Sequence, residues 1–148
     1  MFYAGLFIEA IRSNNSVNDS LLDKRTVLIV DDDADSREIL AQIVQMQGYH
    51  AYQAENGQQA LDWIEAVPPP PALILLDLDM PVMGGREFLS RLARLPGVIP
   101  VVVVITGQDP RIVPGAAAVL RKPISLSQLL GLMQGFMLTP ENYNGKGN

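Results

Sequence analysis

Short apolar runs alternate along this chain with segments whose apolar residues recur every three or four positions. Residues 26–30, Thr-Val-Leu-Ile-Val, are β-branched and apolar, as expected of a strand buried on both faces. Residues 36–47 follow with Ile39, Leu40, Ile43 and Val44 at helical spacing, and Gly48 supplies a stop. Residues 49–54 alternate weakly and read as a second strand. Residues 58–67 read as a helix that four prolines, Pro68 to Pro71, terminate. A third strand over 72–76 runs into Asp77. A third helix over 85–95 turns Phe88, Leu89, Leu92 and Leu95 inward. Residues 99–105 are the most hydrophobic run and predict a central strand; 117–120 predict a short last strand. The final helix, 125–136, opens with a capping box of Ser125 and Gln128. Repeated βα units with short connections predict an α/β fold, a doubly wound parallel sheet covered on both faces.

The ends differ from this pattern. Residues 1–24 read as an extension, with an apolar stretch from Phe2 to Ile11 that could pack on the domain or on a partner. A polar linker, Ser13-Asn14-Asn15-Ser16-Val17-Asn18-Asp19-Ser20, follows it. The domain is expected over 25–138, with a polar tail over 139–148.

Composition narrows the function classes. Hydrophobic residues are 48% and charged residues 18%, an ordinary globular balance. The net charge of −5 and the absence of a Lys/Arg-dense run give no footprint for nucleic acid, so no such partner is expected. With no cysteine, disulfides, thiolate metal sites and thiol nucleophiles are excluded; a single histidine, His50, excludes a His-rich metal site. The apolar N-terminal run is short, contains Glu9 and lacks a basic leader, so no membrane insertion and a cytoplasmic location are expected.

Side chains just past the carboxyl ends of parallel strands converge on one edge of such a sheet. Here those positions hold Asp31-Asp32-Asp33, Asp77, Thr106 and Lys122. Crowded carboxylates repel one another and demand a cation; with oxygen ligands alone, Mg²⁺ is the natural candidate. Asp77 then offers an oxygen nucleophile, Lys122 a point charge and Thr106 a hydroxyl, the parts of a phosphoryl pocket, with Gly107 leaving the approach open.

These segments resemble the receiver domains of two-component response regulators. The likeness rests on Val27-Leu28-Ile29-Val30-Asp31-Asp32-Asp33 and on Leu75-Leu76-Asp77-Leu78-Asp79-Met80-Pro81-Val82-Met83-Gly84-Gly85. Ile105-Thr106-Gly107 and Leu120-Arg121-Lys122-Pro123-Ile124 complete it. The resemblance implies a flavodoxin-like, five-stranded sheet of order 2-1-3-4-5. It implies Asp77 as phospho-acceptor, assisted by Thr106 and Lys122. Asp32 and Asp77 would be direct Mg²⁺ ligands, Asp31 a ligand through water, and the backbone carbonyl of Asp79 a further ligand. It also implies a Lys122–Pro123 bond that is cis in many relatives and aims the lysine into the pocket. The phosphoryl donor would be a sensor histidine kinase or a phosphotransfer protein, the output an unknown downstream protein, and a homodimer is left open. Such a chain is not an enzyme beyond catalysing its own phosphorylation and dephosphorylation.

Plainer roles suit other residues. Asp33 is read as a helix cap only, His50 as a surface or half-buried strand residue, Trp63 as packing, and Met133 and Met137 as core or interface filler. Two rival functions stand beside the main one. The first is a haloacid-dehalogenase-like phosphohydrolase built on Asp77-Leu78-Asp79, which lacks the expected acids after Lys122 because only Glu141 follows. The second is a receiver-fold interaction module that does not use phosphorylation. The chain departs from the family between Thr106 and Lys122, where Pro110, Pro114 and Gly115 deny a regular helix and predict that the fourth helix is shortened or missing. Val119 stands where relatives carry Tyr or Phe. Both departures fall on the usual output face, so the expected readout moves to the first helix, the extension or the 108–115 loop.

Overall fold

A computed structural model describes residues 26–97, 100–108 and 112–136. The expected extension and tail, Met137, Pro110, Glu141 and the first residue of the fourth predicted strand lie outside the described residues.

Five strands form one parallel sheet: β1 (Thr26–Val30), β2 (His50–Ala54), β3 (Leu73–Asp77), β4 (Val101–Thr106) and β5 (Ala118–Arg121). Their order is β2-β1-β3-β4-β5. Helices α1 (Ala34–Met46), α2 (Gly57–Ala66) and α3 (Gly85–Leu92) connect the first four strands, and α4 (Leu126–Phe136) follows the last.

The two-residue period of a strand divides the core in two. Leu28, Val30, Ile74, Leu76, Val102 and Val104 point to one face, where Ala60 and Leu61 of α2 and Phe88, Leu89 and Leu92 of α3 cover them. Val27, Ile29, Leu73, Leu75, Val103 and Ile105 point to the other, under Leu40, Ala41 and Val44 of α1 and Leu129 and Met133 of α4. Burial on both faces explains the unbroken apolar runs of β1, β3 and β4. β2 is an edge strand with half-exposed positions, which is why its pattern is weak.

Local signals account for the ends of the helices. Asp33 caps α1, accepting from the Asp35 amide at 3.3 Å and the Ser36 hydroxyl at 2.8 Å. Gly48 takes a positive φ of 87° just after α1. The Ser125–Gln128 capping box forms: the Gln128 amide donates to Ser125 Oγ at 3.1 Å, and the Ser125 amide donates to Gln128 Oε1 at 3.0 Å. Trp63 stacks on Tyr52 at a centroid separation of 4.8 Å, a packing role as expected.

Two details depart from the periodic reading. Ile39 is exposed, because Leu40 and Ala41 take the inward positions and Ile39 is rotated about 100° from Leu40 around the helix. The third helix ends at Leu92 rather than at 95. Leu95 still packs on the core, but from a turn, since the residue preceding Pro96 is disfavoured in helix.

Between β4 and β5 none of the described residues is helical. A short plug takes the place of the fourth helix. Val113, 6% exposed, enters the cluster containing Phe88, Leu89, Val102 and Val104, and Ala116 packs beside it. The Ala116 amide donates to the Val113 carbonyl at 3.1 Å, and Ala117 donates to Val102 at 2.7 Å, steering the chain into β5. Gly115 supplies the φ of +90° that the turn requires. Val119 packs inward against the same cluster. If the plug seals this face, Val113→Ala will lower unfolding free energy by about 1–3 kcal/mol. The same change at Ile112, 78% exposed, will be near neutral in urea denaturation.

Candidate functional site

Asp31 directly follows β1, and its amide donates to the Ala54 carbonyl at the end of β2, 3.1 Å away. The turn that carries Asp31 and Asp32 is braced from α1. Arg37 Nη1 donates to the Asp31 carbonyl at 2.8 Å and its Nε donates to Gln53 Oε1 at 3.1 Å, while Gln53 Nε2 donates to Glu38 Oε2 at 3.1 Å. The Asp33 amide donates to Asp31 Oδ1 at 2.9 Å, which fixes that carboxylate's orientation.

Asp77 is the last residue of β3 and pairs across the sheet with Ile105, so Thr106 is one step further out on the neighbouring strand. The Asp79 amide donates to Asp77 Oδ1 at 3.4 Å. Thr106 is fully buried, and its Oγ1 accepts from the Gln108 amide at 3.2 Å. Lys122 follows β5, and its backbone amide donates to the Thr106 carbonyl at 2.8 Å. Its Nζ donates to Asp31 Oδ2 at 3.3 Å and lies 3.6 Å from Asp77 Oδ2. The Lys122–Pro123 bond is cis.

One oxygen each from Asp31, Asp32 and Asp77 lies within 4.8 Å of the others. Asp31 is 3% exposed and Asp77 7%, whereas Asp32 is open to solvent. Burial pushes the Asp77 carboxyl up from its ordinary 3.8 to about 6, and the neighbouring charges of Asp31 and Asp32 add to the rise; Lys122 opposes it. For Lys122, burial pulls the ammonium down, but the charges of Asp31 and Asp77 outweigh burial and hold it above its ordinary value. The arrangement therefore combines a buried carboxyl with a raised pKa, an anchored cation and an all-oxygen donor set.

Among the predicted residues, the structure brings Asp31, Asp32, Asp77 and Lys122 together and sets Thr106 on the strand next to Asp77. The Asp79 carboxylate is not in the cluster; it accepts from Gln108 Nε2 at 3.4 Å. A Cβ at Gly107 would meet nothing within 4 Å, in keeping with an open approach there. Sequence reasoning missed Arg37, Gln108 and the packing of Gly85. A Cβ on Gly85 would lie 2.6 Å from the Asp77 carbonyl, so only glycine lets α3 start hard against the end of β3. Arg37, one helical turn past the acidic triplet, carried a usable signal; Gln108 carried none.

Five parallel strands in this order, with three carboxylates and a lysine at their carboxyl edge, define the receiver class of two-component signalling proteins. The chain belongs to the response regulator receiver domain family, whose sequence model matches residues 27–134. It is 36% identical over 120 residues to the phosphate regulon transcriptional regulatory protein PhoB of Pseudomonas aeruginosa, covering 76% of this chain and 52% of that protein. It is 38% identical over 78 residues to sporulation initiation phosphotransferase F of Bacillus subtilis, covering 53% and 61%. Among solved structures, a receiver domain from Methanospirillum hungatei matches with a TM-score of 0.66 and 28% identity, covering 75% of this chain and 91% of that one. The chain spans about half the length of curated relatives such as PhoB. Among the described residues no helix is long and apolar enough to cross a membrane.

The raised Asp77 carboxyl sets a pH dependence. Because its folded pKa exceeds the ordinary value, its proton stabilises the fold; that contribution is complete below about 3.8 and is lost as the pH rises through about 6. Without divalent cations, urea denaturation of the wild type should therefore show stability falling between pH 4 and pH 7 by on the order of 2 kcal/mol more than in Asp77→Asn. Equal slopes in the two proteins would show that Asp77 is not titrating in this range.

Proposed function

We propose that the chain accepts a phosphoryl group on Asp77 from a phosphohistidine of a sensor kinase or phosphotransfer protein. The observation that supports this reading is the meeting of Asp77 with Asp31, Asp32 and the Lys122 ammonium in one partly buried cluster. An Asp77 carboxylate oxygen attacks phosphorus; the new P–O bond forms as the P–N bond breaks, and the imidazole nitrogen leaves with the electron pair. Lys122 moves from two carboxylates toward the added phosphoryl oxygens, and the Thr106 hydroxyl, at a strand end beside Asp77, donates to another. Asp31, Asp32, Asp77 and the Asp79 carbonyl would hold Mg²⁺, and an all-oxygen set of this charge suits that hard cation. When bound, the ion supplies positive charge to the carboxylates and to the phosphoryl oxygens.

The receiver unit spans 25–138 in this reading, and a cytoplasmic location fits a kinase partner. Asp79, the acid that a phosphohydrolase would require, hydrogen-bonds Gln108 instead. The regulator PhoB shows that relatives act in transcription, so the absence of a nucleic-acid footprint applies to the surface of this receiver alone. The output cannot use a fourth helix of the usual kind, because the plug at 112–117 occupies its place. The Gln108 contacts to Thr106 and Asp79 make the start of that segment the natural carrier of a signal from the pocket.

Incubation with Mg²⁺ and acetyl phosphate should add a single phosphoryl mass increment to the wild type and none to Asp77→Asn. Lys122→Ala should slow the reaction on the order of 100-fold. An unmodified wild type, or an increment that persists in Asp77→Asn, would refute the proposal, the former in favour of a binding module that does not use phosphorylation. Hydrogen exchange with and without a phosphoryl mimic should alter protection in 107–117 or α1. A change confined to the pocket residues would contradict a readout through either segment.

A further inference from the structure

The edge of the sheet opposite the acidic cluster carries a groove of about 300 Å³. Its walls are Ile64 at the end of α2, Pro68 and Pro70 in the turn that follows, Leu92 at the end of α3, Leu95 in the turn after it, and Pro100 ahead of β4. Proline rings hold two of its sides in shape without side-chain freedom to lose on binding. Among the described residues, Glu65 is its one charged wall residue.

The chain enters the domain at the same edge. Thr26 opens β1, and its carbonyl accepts from the Ala72 amide at 2.9 Å, immediately after the proline turn that lines the groove. Before Thr26 the sequence holds an apolar run from 2 to 11, Phe-Tyr-Ala-Gly-Leu-Phe-Ile-Glu-Ala-Ile, broken only by Glu9. Arg12, opposite in charge to Glu65, comes next, and residues 13–25 then lead to the strand. A polar tether of that length reaches up to roughly 40 Å when extended, ample for a groove beside its own anchor point. It also keeps the local concentration of the run in the millimolar range.

We propose that the apolar N-terminal run, residues 2–11, docks in this groove of its own chain, placing Arg12 near Glu65. The proposal is independent of phosphorylation at Asp77, since the groove lies at the far edge of the sheet. The occupant follows from the chain's entry at the same edge of the sheet, from the matched apolar character, and from the opposite charges of Arg12 and Glu65.

The absence of cysteine in the wild type makes a direct test simple. In the full chain, Ala10→Cys with Leu95→Cys places one thiol on the run and one in the groove. Ala10→Cys with Met46→Cys is the control, because Met46 is exposed at the end of α1 on the other face of the sheet. With a short bis-maleimide, the groove pair should cross-link within one chain about tenfold faster than the control pair. Adding Leu6→Asp and Phe7→Asp should erase that excess, which separates docking from mere tethering. Equal rates for the two pairs, an excess that survives the aspartates, or cross-linking only between chains would each overturn the proposal.

Discussion

Two buried carboxylates, Asp31 and Asp77, share the ammonium of Lys122 at the carboxyl edge of the sheet. With Asp32 alongside, three acids face one cation, which leaves two negative charges unmatched in a partly desolvated place. The fold does not relieve this tension locally. It holds the acids there from several directions: the Ala54 carbonyl and Arg37 fix the backbone of Asp31, and Gly85 lets α3 press on the backbone of Asp77. A site with this excess of negative charge favours whatever brings positive charge to it.

The same edge shows how far the scaffold tolerates change away from the site. A regular helix after β4 would cover Val102, Val104 and Leu89; here Val113 and Ala116 do so from a turn that Gly115 makes possible. The core stays sealed with fewer residues. Gln108, bonded to both Thr106 and Asp79, links the pocket to this shorter segment. The packing of Val113 and Ala116 rests on Phe88, Leu89, Val102 and Val104, apart from the acidic cluster, and Gln108 touches the pocket side.

Much of this was legible in the sequence. β1, β3 and β4 announced themselves because strands buried on both faces must be apolar throughout, and the residues that end them had to converge. The parallel α/β architecture and the shared position of Asp31, Asp32, Asp77 and Lys122 followed from that alone. The strand order came from family resemblance rather than from periodicity. The rest was hidden where partners are distant in sequence: Gln108 meets Asp79 across 29 positions, and no local pattern marks either residue for the other. Ile39 misled for the opposite reason, since an apolar residue one step off the buried face reads the same as one on it. The start of α3 depended on a backbone approach at Gly85 that only the three-dimensional fold reveals.

The most direct measurement of the central tension is the effect of Mg²⁺ on stability at pH 7.5, where Asp77 is ionised. A cation that binds the folded cluster and not the unfolded chain stabilises in proportion to the logarithm of its concentration above its dissociation constant. The wild type should gain stability with rising Mg²⁺ by about 1.4 kcal/mol per tenfold increase at saturating levels, and Asp32→Asn and Asp77→Asn should lose most of that gain. A wild type indifferent to Mg²⁺, or variants that respond as strongly as it does, would contradict the view that the clustered carboxylates are built to receive a cation.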